Sequence, residues 1–305
     1  MHQPQPDTHS YLVDAPIYVF RGYFSLPDSI TDGDGHPVNA LYGFAGFLAD
    51  LIREARPRYL AAAFDESLTR SFRNEIFPAY KANRPPAPDD LKEQFRRCRE
   101  LCWLLGIREL VGERWEADDY IGTMARLERA AGRRAVIVSR DKDLLQLLED
   151  GDWYWDFAAG KRLDAAAVLR DWGVRPNQIA DYLALVGDKV DNIPGVRGVG
   201  DKAARALLQR FETLDGVYAG IDEVTGLPVR GAVRLRQCLI DGEVDARLSR
   251  RLTAIPRDVP VSEADIGWRS PDLDAIEGPC RQLGLGEATW ARLRDALAAT
   301  GENGG

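Results

Sequence analysis

Three short apolar runs in this chain each lead directly into aspartate, and that pattern limits the fold more than any other feature. Ser10-Tyr-Leu-Val ends in Asp14, Arg58-Tyr-Leu-Ala-Ala-Ala-Phe64 in Asp65, and Arg134-Ala-Val-Ile-Val-Ser139 is followed at once by Asp141 and Asp143. Runs of this length, β-branched or fully apolar, read as buried strands. Helical spacing fills the gaps, first at Leu41, Phe44, Ala45, Leu48, Leu51 and Ile52, then near 89–105, 116–131 and 141–149. Strand and helix alternating predict an α/β fold with a central, mainly parallel sheet flanked by helices. The working edge of such a sheet lies at the carboxyl ends of its strands. A carboxylate after one strand is ordinarily a cap or a solvated turn; after three strands of one sheet it marks an edge.

More acids join them. Glu116-Ala-Asp118-Asp119 opens a helical stretch, where one cap needs one acceptor and three carboxylates are present. Gly187-Asp188-Lys-Val-Asp191 follows the apolar run Ile179 to Val186. Nine carboxylates are therefore candidates for one site: Asp14, Asp65, Glu116, Asp118, Asp119, Asp141, Asp143, Asp188 and Asp191. Two like charges about 5 Å apart at an effective dielectric near 20 cost roughly 3 kcal/mol. Protonation relieves part of that and divalent ions relieve more, with all-oxygen donors favouring Mg²⁺ or Mn²⁺.

Charge then stops arguing against a polyanionic partner. The chain of 305 residues carries 40 basic and 48 acidic side chains, a net of −8, whereas nucleic-acid binders usually show a basic footprint. Setting the nine aside leaves 39 acids against 40 bases. Histidine chemistry is nearly excluded: His2, His9 and His36 are the only three, the first two in a polar leader expected to fray. A Ser-His-Asp mechanism is disfavoured, and basic chemistry falls to carboxylate, lysine or metal. Cys98, Cys102, Cys238 and Cys280 form no disulfide framework and no Cys-x-x-Cys pair, and Cys98 and Cys102 fall on the apolar face of a helix with Leu91 and Phe95. There is no apolar run of 18 and no signal-peptide pattern, which together with the cysteines places the protein in a reducing cytoplasm.

Asn192-Ile-Pro-Gly195-Val-Arg-Gly198-Val-Gly200-Asp-Lys202 makes a tight turn feeding a helix. Glycines there admit close backbone approach, and free amides beside Lys202 suit a phosphate. The spacing fits neither a nucleotide P-loop nor the Rossmann fingerprint, and a helix-hairpin-helix that grips DNA backbone without reading sequence fits best. Steric packing alone also accounts for such glycines. Upstream, Arg70-Ser-Phe-Arg73 and Tyr80-Lys81-Ala-Asn-Arg84 lead into Pro85-Pro-Ala-Pro88. With six lysines against 34 arginines, Lys81 is compatible with a point-charge role.

Together these stretches resemble the 5′-nuclease superfamily, the flap endonucleases and the 5′→3′ exonuclease domain at the front of bacterial DNA polymerase I. The matching residues are Leu12-Val-Asp14, Ala63-Phe-Asp65, Phe72-Arg73 through Tyr80-Lys81-x-x-Arg84-Pro-Pro, Glu116-Ala-Asp118-Asp119-x-Ile-Gly122, Ser139-x-Asp141-Lys-Asp143-Leu-x-Gln146-Leu, and Gly187-Asp188-x-x-Asp191-Asn-Ile-Pro-Gly-Val-x-Gly-Val-Gly200-x-Lys202. They run in the family's order over about residues 10 to 212. The resemblance implies a PIN-like catalytic core over 1–190 with a helical arch near 80–105, then a helix-hairpin-helix region and helical C-terminal tail over 191–305. It implies metal-dependent phosphodiester hydrolysis at DNA 5′ ends, flaps or single-strand/duplex junctions, in replication and repair, by a stand-alone monomer. By analogy one ion draws on Asp14, Asp65, Glu116, Asp118 and Asp119, and a second on Asp141, Asp143, Asp188 and Asp191. Lys81 and Arg84 would contact the scissile phosphate, Tyr80 would stack on a junction base, and Arg21 would meet another phosphate. Gly198, Gly200 and Lys202 would grip the duplex, with K⁺ held through carbonyls near Val196 and Val199.

Three features depart from the pattern: Ala15-Pro16 after the first aspartate, Arg140 in place of glycine, and Lys189 between Asp188 and Asp191. The cations at 140 and 189 stand close enough to tune metal affinity or substrate grip. An aspartate-nucleophile phosphatase is a rival that needs an acid where Pro16 stands and leaves the hairpin without a use. A non-catalytic DNA-junction-binding protein would make the acids structural. A PIN-like ribonuclease would share the acidic core without needing the hairpin.

Overall fold

A computed structural model describes residues 4–66, 70–261 and 265–301. Six strands form one sheet: β1 (His9–Asp14), β2 (Leu60–Ala63), β3 (Arg108–Leu110), β4 (Arg134–Val138), β5 (Trp153–Asp156) and β6 (Lys161–Leu163), in the order β3-β2-β1-β4-β5-β6. The first five are parallel, and β6 returns antiparallel to β5. The sheet is buried on both faces, which is why its strands read as continuous apolar runs and not as alternations. Tyr11, Val13, Leu60, Ala62, Val136 and Val138 face one core; Leu12, Ala61, Ala63, Ala135 and Ile137 face the other.

Helices α1 (Ala15–Ser25), α2 (Asn39–Ala55) and α4 (Asp89–Leu104) cover the first face. The short α3 (Phe72–Ile76) precedes α4, and α5 (Ala117–Ala130) covers the second face. From β1 the chain passes to β2 on one side, and β4 later takes β1's other side, so the strand order reverses between β1 and β4. That reversal opens a crevice at their carboxyl ends. A second, helical lobe follows α6 (Ala165–Trp172): α7 (Ile179–Val186), α8 (Asp201–Phe211), α9 (Leu214–Ala219), α10 (Ala232–Asp241) and α11 (Glu243–Thr253).

The structure departs from the sequence pattern in five places. β3, β5 and β6 have no counterpart in it: β3 and β6 are mostly charged and β5 is three aromatic residues closed by an acid, so none lies within an apolar run as β2 does. The helix expected over 141–149 is a 3₁₀ turn at Lys142–Leu147, where Asp141 accepts the Asp143 N–H at 2.9 Å and the Leu148 N–H returns to Leu145. The leader does not fray at His9, which is the first residue of β1; His2 lies outside the described residues. Residues 80–105 do not form one arch: α4 lies on α2 with Leu91, Phe95, Cys98, Leu101 and Cys102 buried, and buried Gln94 accepts the Ala40 N–H at 2.7 Å.

Lastly, the C-terminal segment is helical as expected, but its last two helices do not stay with the second lobe. α12 (Leu273–Gln282) and α13 (Glu287–Gly301) return to the first lobe, where Trp290, Leu293 and Leu297 are buried beside α2. Ahead of them Ile266 and Trp268 bond to Leu60 and Arg58 at the foot of β2, and the Trp268 indole N–H donates to the Leu105 carbonyl at 2.9 Å.

Candidate metal centre and nucleic-acid surface

Three strand ends, those of β1, β2 and β4, deliver carboxylates into the crevice. Asp14 is the last residue of β1 and the residue before α1, so Pro16 stands in the first turn, where its missing N–H costs nothing. Ala15 and Pro16 therefore open α1 directly after β1 and leave Asp14 in place. Ser139, just past β4, donates its hydroxyl to Asp14 at 2.6 Å and accepts the Asp141 N–H at 2.8 Å. One hydroxyl thus ties together the two strands that flank the crevice. Asp65 follows β2 and accepts the Ala117 N–H at 2.8 Å, which fixes it against the start of α5.

One cleft is lined by Asp14, Asp65, Glu116, Asp118, Asp141, Asp143 and Asp191, seven of the nine expected residues, with Arg73, Lys81 and Arg84 among them. Asp119 is fully buried beneath it, with both oxygens on the Arg73 guanidinium at 3.0 and 2.8 Å and one also accepting the Glu116 N–H. Asp188 is set back from the lining: its carboxylate accepts the Val190 N–H at 2.7 Å, and its charge still reaches Asp143 and Asp141. Neither described histidine lines the cleft; His9 opens β1 and His36 is exposed on the turn where Asp32 binds Arg97.

Burial, reinforced by neighbouring carboxylates, pushes Asp14 and Asp143 up to about 8. The same causes raise Asp118, Asp141 and Asp65. Glu116 is the opposite case: burial opposes its charge, but Lys81 and Arg73 hold it down at about 2. Its Oε2 accepts from Lys81 Nζ at 2.8 Å and from the Tyr80 hydroxyl at 3.2 Å, with Arg73 at 3.4 Å. Seven carboxyl groups against three bases give a formal excess of four acids in an oxygen-lined cleft, a charge the metal-free site holds down by keeping protons. That donor set fits hard divalent cations.

A pH dependence follows. The folded chain holds protons on Asp14 and Asp143 that the unfolded chain releases near 3.8. Stability tied to them is present below that value and lost as pH rises toward about 8. In EDTA the melting temperature is expected to fall between pH 5 and 8, and millimolar Mg²⁺ to restore it most at the upper end. A flat profile in EDTA contradicts this.

Lys81 and Arg84 both reach the cleft, Arg84 on the Asp191 carboxylate. Tyr80 does not present a stacking face: it is 4% exposed, its hydroxyl is on Glu116, and Lys81 Nζ lies 4.9 Å from its ring centre. Arg21 is exposed on α1, and Arg140 is 3.5 Å from Asp156. Sequence reasoning gave no role to Arg73 or Ser139. The usable signal for Arg73 was the carboxylate excess at Glu116–Asp119, which needs a buried cation nearby.

Between α7 and α8 the chain turns through Gly195 (φ +61°) and Gly198 (φ +93°), with Val196 and Val199 pinning the turn from beneath. A Cβ on Gly195 would stand 2.3 Å from the Gly187 nitrogen, so that glycine is required by the fold. Gly200 differs. It precedes α8 with φ −105°, and a Cβ there meets nothing within 4 Å, while Lys202 is exposed in the first turn. Gly200→Val is expected to fold normally and to weaken binding of duplex-containing DNA about three- to tenfold, with less effect on short single strands. Unchanged duplex affinity in a titration removes this turn from the interface.

Sheet, acidic cleft and glycine turn define the class: an α/β protein whose switch-point crevice is an oxygen-lined anionic site, joined to a helical module with an open turn. Residues 9–173 match the family described as 5′-3′ exonuclease, N-terminal resolvase-like domain, and residues 174–274 match 5′-3′ exonuclease, C-terminal SAM fold. The chain belongs to this 5′-3′ exonuclease family. It is 35% identical over 273 residues to a 5′-3′ exonuclease of Aquifex aeolicus, covering 90% of this chain and 91% of that one. It is 40% identical over 296 residues to DNA polymerase I of Pseudomonas aeruginosa, covering 96% of this chain but 32% of the polymerase, so it spans about a third of that relative. Among solved structures, the bacteriophage T5 D15 flap endonuclease in complex with DNA and metal ions superposes with a TM-score of 0.66 at 21% identity, over 97% of this chain and 100% of the other. The catalytic core of Rad2 with DNA substrate gives 0.62 at 17%, over 96% and 92%.

Proposed function

We propose that this protein hydrolyses DNA phosphodiester bonds at 5′ ends and at 5′ flaps or single-strand/duplex junctions, with Mg²⁺ as the working ion and Mn²⁺ as a substitute. The observation that carries this reading is the convergence of seven carboxylates on one cleft that also holds Lys81 and Arg84. Asp14, Asp65, Glu116 and Asp118 would hold one ion and Asp141, Asp143 and Asp191 the other, with Asp188 and Asp119 supporting from behind. Bound ions supply Lewis acidity at the phosphate and a nucleophile at neutral pH without a histidine. The chain's own part is to keep the carboxylates apart and oriented, through Ser139, the Ala117 N–H and Arg73, and to offer Lys81 and Arg84 to the phosphate oxygens.

Beyond the cleft, among the described residues, Lys189, Arg197, Lys202, Arg230 and Arg234 are exposed without a carboxylate partner, whereas most other arginines are ion-paired. Gly198 packs on Cys238 and Gly242 on Val196, so α10 flanks the turn and its free bases extend the same surface. These side chains suit a duplex backbone, and the Val196 and Val199 carbonyl region suits K⁺. Labour divides near residue 190, with most of the cleavage site before it and most of the duplex grip after it, while Asp188 and Asp191 from the second family segment complete the site. No helix among the described residues is long and apolar enough to cross a membrane. We place a monomer in the bacterial cytoplasm.

The test is cleavage of a 3′-end-labelled 5′-flap DNA with Mg²⁺ and then with excess EDTA. Metal-dependent products at the junction support the reading; tight binding without product under any metal overturns it. In the same assay Lys81→Ala is expected to lower kcat about a hundredfold, the scale of one charged donor at a transition state, with duplex affinity changed less than threefold. Equal losses in both would take Lys81 away from the phosphate.

A further inference from the structure

Lys81 and Asn192 are two non-glycine residues with left-handed backbone, at φ +54° and +58°, and neither ends a helix. They lie opposite each other on two segments laced together. The Lys81 N–H donates to the Asp191 carbonyl at 3.0 Å, Asn83 Nδ2 to the Lys189 carbonyl at 3.1 Å, and Asn192 Nδ2 to the Ala79 carbonyl at 2.7 Å. Arg84 closes the far end on the Asp191 carboxylate. The 188–193 loop is itself shut by reciprocal backbone bonds between Asp188 and Ile193, at 3.0 and 2.6 Å. On the other flank Asn74 Nδ2 holds the Tyr80 carbonyl at 2.9 Å.

We propose that Asn83 and Asn192 are positioning residues: with the 188–192 loop they form a clasp that sets the backbone of Lys81 and so places its ammonium between Glu116 and Asp191. A lysine carries a point charge on four rotatable carbons, so the position of its Cα decides where that charge can be held. Here Nζ stands 2.8 Å from Glu116 and 4.0 Å from Asp191, one carboxylate from each of the two family segments. Strain of this kind persists only where surrounding contacts over-determine it. The clasp joins the lysine loop to the chain entering the glycine turn, so a duplex gripped by that turn also fixes the lysine.

This inference rests on the reading of Lys81 as a phosphate contact, and a double-mutant cycle separates the two. kcat and KM for flap DNA are measured for Asn192→Gly, Asn192→Ala and Asn83→Ala, each alone and combined with Lys81→Ala, beside melting temperature and DNA affinity in EDTA. Glycine keeps the left-handed backbone and removes only the amide, and is expected to lower kcat about fivefold, on the scale of one hydrogen bond. Alanine also strains the backbone and is expected to lower it tenfold or more. DNA affinity in EDTA should stay within twofold, and in the Lys81→Ala background none of the three should lower kcat further. An equal loss in both backgrounds, or none in the native one, overturns the clasp. If Lys81→Ala alone leaves kcat unchanged, the role of the lysine itself fails.

Discussion

Replacing Arg73 with alanine is expected to destabilise the protein by about 3–5 kcal/mol, the usual consequence of stripping the partner from a buried ion pair. Arg73 is 3% exposed and makes a two-pronged contact with Asp119, which has no exposed surface at all. Its Nε donates to the Leu252 carbonyl at 2.8 Å and its second nitrogen to the Ala254 carbonyl at 3.3 Å, at the end of α11. One side chain therefore joins α3, the start of α5 and the helical lobe. Lysine will not replace it, because a single ammonium cannot serve a carboxylate fork and two carbonyls at once. Urea unfolding should show the midpoint fall for Arg73→Ala and Arg73→Lys, with partial recovery in Arg73→Met/Asp119→Leu, where no charge is left unpaired. A loss below 1 kcal/mol for Arg73→Ala would mean that Asp119 is neutral in the native state.

Asp143→Asn is expected to act in opposite directions on activity and on stability. Cleavage of flap DNA in Mg²⁺ should fall by about a thousandfold or more if, as proposed, Asp143 is a charged donor to the second ion, since the asparagine keeps the shape and loses the charge. In EDTA at pH 7.5 the same variant should melt higher than the native protein. The Asp143 carboxylate is pushed up to about 8 by burial and by Asp141, Asp191 and Asp188, so the asparagine removes a group the metal-free fold disfavours. The gain, on the order of 2 kcal/mol at that pH, should shrink toward pH 5, because the native carboxyl already holds its proton at pH 7.5 and the cost of taking it from solvent falls as pH falls. Sites of this kind trade stability for function. Full activity in the variant would take Asp143 out of the centre; an unchanged or lower melting temperature in EDTA would mean that repulsion there is already relieved within the protein.

Much of the site could be read from residue type and spacing, since those are local properties. The apolar runs ending at Asp14, at Asp65 and before Asp141 name three neighbouring strands and the edge on which their acids meet, and the Gly195–Gly200 spacing names a tight turn before a helix. β2 is only four residues long, but its apolar run extends beyond the strand on both sides; β3 and β6 are mostly charged and β5 ends in an acid after three residues, so none of the three shows such a run. The 141–149 segment passes for α because its four leucines, at 144, 145, 147 and 148, suit either kind of helix.

What only the tertiary structure decided is which of these local pieces touch. The sequence by itself determined an α/β sheet, an acidic edge, a basic segment before the prolines and a glycine turn. It did not sort the nine carboxylates into seven that line the cleft, one sealed beneath by Arg73 and one set back on the Val190 N–H. Nor did it show that Tyr80 is buried on Glu116, or that Trp290 folds back beside α2 instead of staying with the second lobe. The physical reason is common to all three. Charge and apolarity at a position are carried by the residue itself, whereas the cation a buried acid meets, or the groove that receives a tryptophan, comes from chain tens to hundreds of residues away and is fixed only when the layers pack.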